Sequence, residues 1–235
     1  MELVIQNARL CTSDDSVSPL VDLLVEQGRF VAIEPAGVRV AEIGREIDVR
    51  GAMVSPPYVE PHVHLDTCLT AGEPRWNESG TLWEGIACWS ERKATLTHDD
   101  VVTRVNEVLR WQVANGVLHV RSHVDTTDPT LTALDALIEV REQVRDVVNL
   151  QLVAFPQEGI VSFPDGEKLI AEAARRGVDA IGAIPHFEDT REDGVHSLEI
   201  AVSTALDAGG CSWTSTATRS TMSSPALSRC SPRKR

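Results

Sequence analysis

His62 and His64 stand two residues apart in Pro57-Tyr-Val-Glu-Pro-His-Val-His-Leu-Asp66, at the end of an extended apolar run. Residues i and i+2 of a strand project from one face, so the two imidazoles would sit side by side. Such a pair can supply half the ligands of a divalent metal ion, and a strand end bounded by prolines holds it rigidly. Two histidines that merely fall near a turn would look the same, and spacing alone leaves both readings open.

The elements that must position this pair follow from the hydrophobic pattern. Residues 2–5, 21–25, 30–33 and 46–54 are short Val/Ile/Leu-rich pieces broken by turns such as Glu26-Gln27-Gly28, which predicts a small antiparallel β-unit. From residue 52 onward, strands alternate with amphipathic helices, as in β/α units on a parallel sheet. Strands are predicted at 52–61, 117–125, 150–157 and 178–185, and helices from Thr97 to Gly116 and over 131–144, 165–176 and 195–208. Residues 66–95, a polar and aromatic excursion, read as a binding loop or lid.

Each predicted strand ends in polar groups: His62 and His64, then His123 with Asp125, then Gln157, then His186. In a parallel barrel the C-terminal strand ends converge on the functional face. His123 and Asp125 share a face, either as a pair orienting metal ligands or as ordinary structural hydrogen bonding. His119 reads as structural or surface, His98 and His196 as solvated helix-start residues, and Asp66 as a backbone hydrogen-bonding group.

Composition narrows the partner. The chain has 235 residues, 42% of them hydrophobic, and a net charge of -13, which fits one large or two small globular domains. An acidic balance argues against nucleic acid or an anionic membrane as the main partner. The first ten residues have no signal-peptide pattern and no later run approaches membrane-spanning length, so a cytoplasmic location is expected. Five scattered cysteines, at 11, 68, 88, 211 and 230, form neither a disulfide framework nor a C-x-x-C knuckle.

Five segments together resemble the cytosine deaminases of the amidohydrolase superfamily. They are Val59-Glu-Pro-His-Val-His-Leu-Asp66, Trp76-Asn-Glu-Ser-Gly-Thr-Leu-Trp-Glu-Gly85, Arg121-Ser-His-Val-Asp125, Val153-Ala-Phe-Pro-Gln-Glu-Gly159 and Ile184-Pro-His-Phe-Glu188. The likeness runs in order to about residue 209. It implies an α/β fold: a distorted, metal-dependent β/α (TIM-like) barrel, here truncated to about four β/α units, with part of a small β-sandwich. It also implies one divalent metal ion, iron or zinc, with His62 and His64 as ligands. Gln157 would recognise the pyrimidine edge, and Leu82 would line the pocket. The implied reaction is hydrolysis of cytosine to uracil and ammonia, with another aminated pyrimidine or a triazine ring as the alternative substrate and a non-catalytic fragment as the alternative role. A homo-oligomer is compatible with the full-length lineage.

The tail departs from this pattern. Residues 1–210 hold all 35 acidic groups and 17 of the 22 basic ones, whereas residues 211–235 hold five bases and no acid. The family's third metal histidine and catalytic glutamate lie in an H-C-D-E segment on strand five, which is not found after Gly210. A disordered linker and a basic anchor both fit the composition. A third reading is a shifted frame: read from the third base, the codons of Cys211–Arg235 can spell L-V-D-V-H-C-D-E-I-D-D-E-Q-S-R-F-V-E, the family's strand-five segment. The expected organisation is therefore a partial β-sandwich at 1–51, half a barrel at 52–210 and an aberrant, disordered tail at 211–235. A complete barrel takes about 250 residues, so open edges, poor solubility, a weakly bound or absent metal and no deaminase activity are expected of this chain.

Overall fold

The computed structural model of the chain describes residues 2–11, 18–37, 44–209 and 212–215. They divide into two compact units, Met1–Pro57 and Tyr58–Arg235.

The first unit is a five-stranded sheet of β1 (Leu3–Leu10), β2 (Val21–Glu26), β3 (Arg29–Pro35), β4 (Arg45–Asp48) and β5 (Met53–Val54). The spatial order is β3-β2-β1-β4, with β5 also on β1. β1 and β2 pair antiparallel, as do β2 and β3, but β4 and β5 run parallel to β1. The wholly antiparallel unit predicted from sequence is thus corrected to a mixed sheet. The cause is local. Asn7 adopts a positive φ of 56° and interrupts the β1 ladder, so β4 pairs with the residues before it and β5 with those after. The predicted single piece 46–54 is split where Arg50 and Gly51 also take positive φ.

The second unit alternates strand and helix. Its strands are β6 (Tyr58–Val63), β7 (Val117–Asp125), β8 (Asn149–Phe155), β9 (Ala180–Ala183) and β10 (Ser212–Ser215). All pair in parallel, in the order β10-β9-β8-β7-β6. The helices are α1 (Leu82–Lys93), α2 (His98–Ala114), α3 (Thr132–Val144), α4 (Gly166–Arg175) and α5 (Arg191–Asp207). This is a curled half-barrel sheet of the kind predicted. No helix among the described residues is long and apolar enough to cross a membrane.

The alternation along β7 and β8 builds two layers. Val120, Val124, Leu150, Leu152 and Ala154 join Val101, Val105 and Leu109 of α2 and Leu134 and Leu137 of α3 in one core. Each fully buried aliphatic side chain contributes roughly 1.5–3 kcal/mol relative to exposure. The intervening residues His119, Arg121, His123 and Asp125 fall on the opposite face. α5 approaches the chain after β9 closely because Gly194 is small: a Cβ there would lie 2.6 Å from the Pro185 carbonyl oxygen.

Three differences from the sequence reading have physical reasons. The excursion 66–95 contains α1, whose start is fixed by Thr81: its side chain accepts the Glu84 amide hydrogen bond at 3.3 Å. α5 begins at Arg191 rather than 195, because Thr190 caps it by accepting from the Asp193 amide. Ser212–Ser215, within the segment expected to be aberrant, pairs along the open edge of β9, Ser212 opposite Ala180 and Ser215 opposite Ala183. An unpaired parallel edge offers backbone groups that a Ser/Thr/Trp stretch can satisfy. Gly210, Cys211 and residues 216–235 of the predicted tail lie outside the described residues.

Candidate active site

The C-terminal strand ends surround a cavity of about 570 Å³. His62 and His64 line it from the end of β6, Gln157 and Phe155 from β8, and Ile184 and His186 from β9. The opposite wall is α1, through Leu82, Ile86 and Trp89. The sequence-predicted residues His62, His64, Leu82 and Gln157 therefore meet in one place. Leu82 stands at the mouth, 63% exposed, where the first turn of α1 opens to solvent. His119 and His98 are not among the lining residues.

The turn beyond β6 is held from beneath. Arg104 of α2, itself buried, donates to the carbonyl oxygens of Asp66 and Cys68 at 2.7 Å each. Thr67 donates through both its amide and its hydroxyl to the His64 carbonyl. Asp66 is fully buried and accepts from the Asp125 and Thr67 amides, the backbone role foreseen for it. Burial, aided by the nearby Asp125 charge, pushes its carboxyl up to about 7.

His62 and His64 have ring centroids 5.4 Å apart. Desolvation lowers the pKa of both, only partially at His62, which stays largely open to solvent and where the neighbouring His64 adds to the effect. His123 is driven down to about 3, by burial first and then by His62, His64 and Arg121. All three imidazoles are neutral near pH 7, the form that ligates metal. His123 does not pair with Asp125. Its ring stacks on His62 at 3.8 Å with an interplanar angle of 12°, and its buried Nδ1 has no hydrogen-bond partner. Ring lone pairs lie in the ring plane, so stacked rings direct them along parallel lines rather than onto one ion. Among the described residues no group of three or more His, Cys, Asp or Glu is disposed to hold a metal ion. His62 and His64 alone could offer at most two ligands, and the described residues do not close a metal site around them.

Asp125 is committed elsewhere. Its carboxylate accepts from Trp89 Nε1 at 2.7 Å and from the Thr127 amide and hydroxyl at 2.7 and 2.6 Å, and it pairs with Lys93 at 2.8 Å. Lys93 also bridges to Glu158, the neighbour of Gln157. Farther along the same loop, Glu188 accepts from the Ile160, Val161 and Ser162 amides at 2.7, 3.3 and 2.9 Å. Lys93, Trp89 and Glu188 were not singled out from the sequence as site residues. Their partners lie 26 to 65 positions away, beyond the reach of any local pattern.

A curled half-barrel of parallel β/α units with histidines and an amide at its strand ends matches a truncated barrel of the amidohydrolase family. Residues 45–209 match that family, and the chain belongs to it. The structure is similar to that of 5-methylcytosine deaminase from Klebsiella pneumoniae liganded with 5-fluorocytosine, at 45% identity and a TM-score of 0.81, covering 88% of this chain and 49% of that one. N-isopropylammelide isopropyl amidohydrolase from Pseudomonas sp. (strain ADP) is 30% identical over 212 residues, 88% of this chain and 51% of its own length. Pterin deaminase from Rhizobium rhizogenes is 34% identical over 158 residues, 65% of this chain and 36% of its own length. The chain thus spans about half the length of the first two.

Proposed function

We propose that this chain carries the substrate-reading side and two metal ligands of a hydrolytic deaminase acting on an aminated pyrimidine of the cytosine class. The observation that carries this reading is the meeting of His62, His64 and Gln157 in one cavity with largely apolar walls. The Gln157 carboxamide both donates and accepts, matching adjacent polar atoms on a pyrimidine edge. Phe155, edge-on to His64 and His123 at 5.5 Å, and Trp89 and Ile86 limit water around the bound ring. The neutral imidazoles of His62 and His64 would hold iron or zinc. Such an ion, when bound, lowers the pKa of a water so that it attacks near neutral pH.

Proton transfer to the ring nitrogen and departing ammonia also needs a carboxylate. Among the described residues lining the cavity, the carboxylate present is Glu73, and it is tied to Arg92 at 3.2 Å. The proposal therefore separates binding from turnover: the chain as it stands binds the base and does not release ammonia at enzyme rates.

A triazine ring is the second reading, favoured by the relative whose name specifies an ammelide. Calorimetric titration of the chain with 5-fluorocytosine and with N-isopropylammelide distinguishes the two. Pyrimidine binding that weakens at least about tenfold, the loss of one good hydrogen-bonded contact, in Gln157→Leu is the expected result. Preference for the triazine, or an unchanged affinity in that variant, would overturn the pyrimidine reading.

A further inference from the structure

Lys93 is the last residue of α1, yet its ammonium is turned inward: its side chain is only 8% exposed. Four oxygens surround it. These are Asp125 Oδ2 at 2.8 Å, Glu158 Oε1, Thr127 Oγ1 at 2.7 Å and the Thr127 carbonyl at 3.1 Å. The Phe163 ring lies 5.9 Å away. Burial works against the charged form, but the Asp125 and Glu158 carboxylates outweigh it and raise the lysine pKa above its ordinary value. The cation thus remains charged while joining three elements: the pocket wall α1, the end of β7, and the loop that carries Gln157.

The contacts around it show what the junction fixes. Asp125 also accepts from Trp89, which lines the cavity, and weakly from the Gln157 amide at 3.4 Å. The far half of the Gln157 loop is held separately by Glu188. One loop therefore has two independent anchors, and Lys93 with Asp125 is the one nearest the amide that meets the substrate. The geometry points to Lys93 as a positioning residue: it sets the distance between the α1 wall and Gln157, and so which ring width the site accepts. A displacement of about 1 Å in a positioning group is enough to cost much of an oriented contact. This inference rests on the pyrimidine-reading role of Gln157.

The test compares Lys93→Met, Lys93→Arg and the double variant Lys93→Met/Asp125→Asn in the full chain, by amide hydrogen exchange and by 5-fluorocytosine titration. In Lys93→Met, exchange at Thr127 and Gln157 accelerates at least about tenfold, while Ile160 and Ser162, held by Glu188, and the α3 amides stay within about threefold. Lys93→Arg retains the long cationic reach and restores most of the protection. The double variant removes the unpaired buried carboxylate; its Thr127 and Gln157 amides remain fast, because the link to Glu158 is still missing. Uniform acceleration across α3 and the loop, or recovery of the loop in the double variant, would reduce Lys93 to charge balance and overturn the inference. Loop release accompanied by about tenfold weaker 5-fluorocytosine binding supports both claims. Loop release in Lys93→Met, with a parent chain that never binds 5-fluorocytosine, sinks the pyrimidine reading and leaves the clamp standing.

Discussion

The two sides of the cavity are finished to different degrees. On the β7–β8 side, Asp125 meets Trp89, Thr127 and Lys93, Lys93 meets Glu158, and Glu188 meets three backbone amides. On the β6 side, His62 is exposed, its ring rests on His123, and the Nδ1 of His123 has no partner. Buried polar groups are normally satisfied, and an orphan marks where another group belongs. The difference teaches that the Gln157 side and the His62–His64 side of the cavity are structurally separable in this chain, and that the first is organised without the second.

The largest test completes the unfinished side. On the shifted-frame reading of the tail, a chain rebuilt after Gly210 to continue L-V-D-V-H-C-D-E and on through the rest of the barrel would carry the histidine and glutamate that the resemblance implies. With zinc or iron supplied, cytosine-dependent ammonia release should then rise from background by at least about 10⁶-fold. The chain as it stands should remain at background in the same coupled assay. Activity in the unaltered chain would break the comparison outright.

The finished side should also be the more costly to disturb. Leu134 of α3 is fully buried in the core beneath β7 and β8, so Leu134→Ala should cost about 2–5 kcal/mol. Val59 on β6 is 61% exposed, and Val59→Ala should change stability by less than about 0.5 kcal/mol. Urea denaturation of both variants measures the contrast, and equal losses would erase it.

Metal affinity sharpens the other half. Two neutral imidazoles without further ligands hold a divalent ion weakly. Zinc titration should show weak binding that His64→Ala reduces about tenfold, or roughly 1.4 kcal/mol. Gln157→Leu should leave it unchanged. Tight zinc binding by the parent would mean that the β6 side is closed by ligands outside the described residues.

How far the sequence foretold this arrangement depends on the distance over which each feature is encoded. The H-x-H pair, the Thr97 cap and the alternation of β7 are local, and all three are read directly from neighbouring residues. α1 was also locally encoded: Thr81 and Glu84 stand at capping-box spacing before Ile86 and Trp89. Its many aromatic and polar neighbours disguised it as a loop. The pattern puts Asp125 on one face with His123 but leaves open whether it pairs with that ring or makes ordinary structural hydrogen bonds, and the structure shows the latter. Its bonds to Thr127 are local, but its partners Trp89 and Lys93 come from α1, and only the folded chain brings them together. The parallel pairing of β4 and β5 was hidden for a related reason, since a left-handed Asn7 changes the ladder without altering the hydrophobic pattern.

The smallest expected effect concerns the ties beneath the cavity. Asp100 at the start of α2 accepts from Arg92 of α1 at 2.8 Å and from Arg104 at 3.0 Å, while Arg104 also holds the turn after His64. Partial burial works against the carboxylate, but the two arginines outweigh it, and its pKa lies below the ordinary 3.8. A carboxyl lowered in the folded state stabilises the fold fully above its unfolded pKa and loses that contribution as the pH falls through the folded value. Solvent screening keeps the size below about 1 kcal/mol. Thermal unfolding of the parent should therefore shift downward more than that of Asp100→Asn as the pH is lowered from 5 to below 3.8, and the two curves should run parallel above pH 5. A parallel course over the whole range would show that Asp100 does not couple α1 to the β6 side, leaving Arg104 and Thr67 to fix the turn.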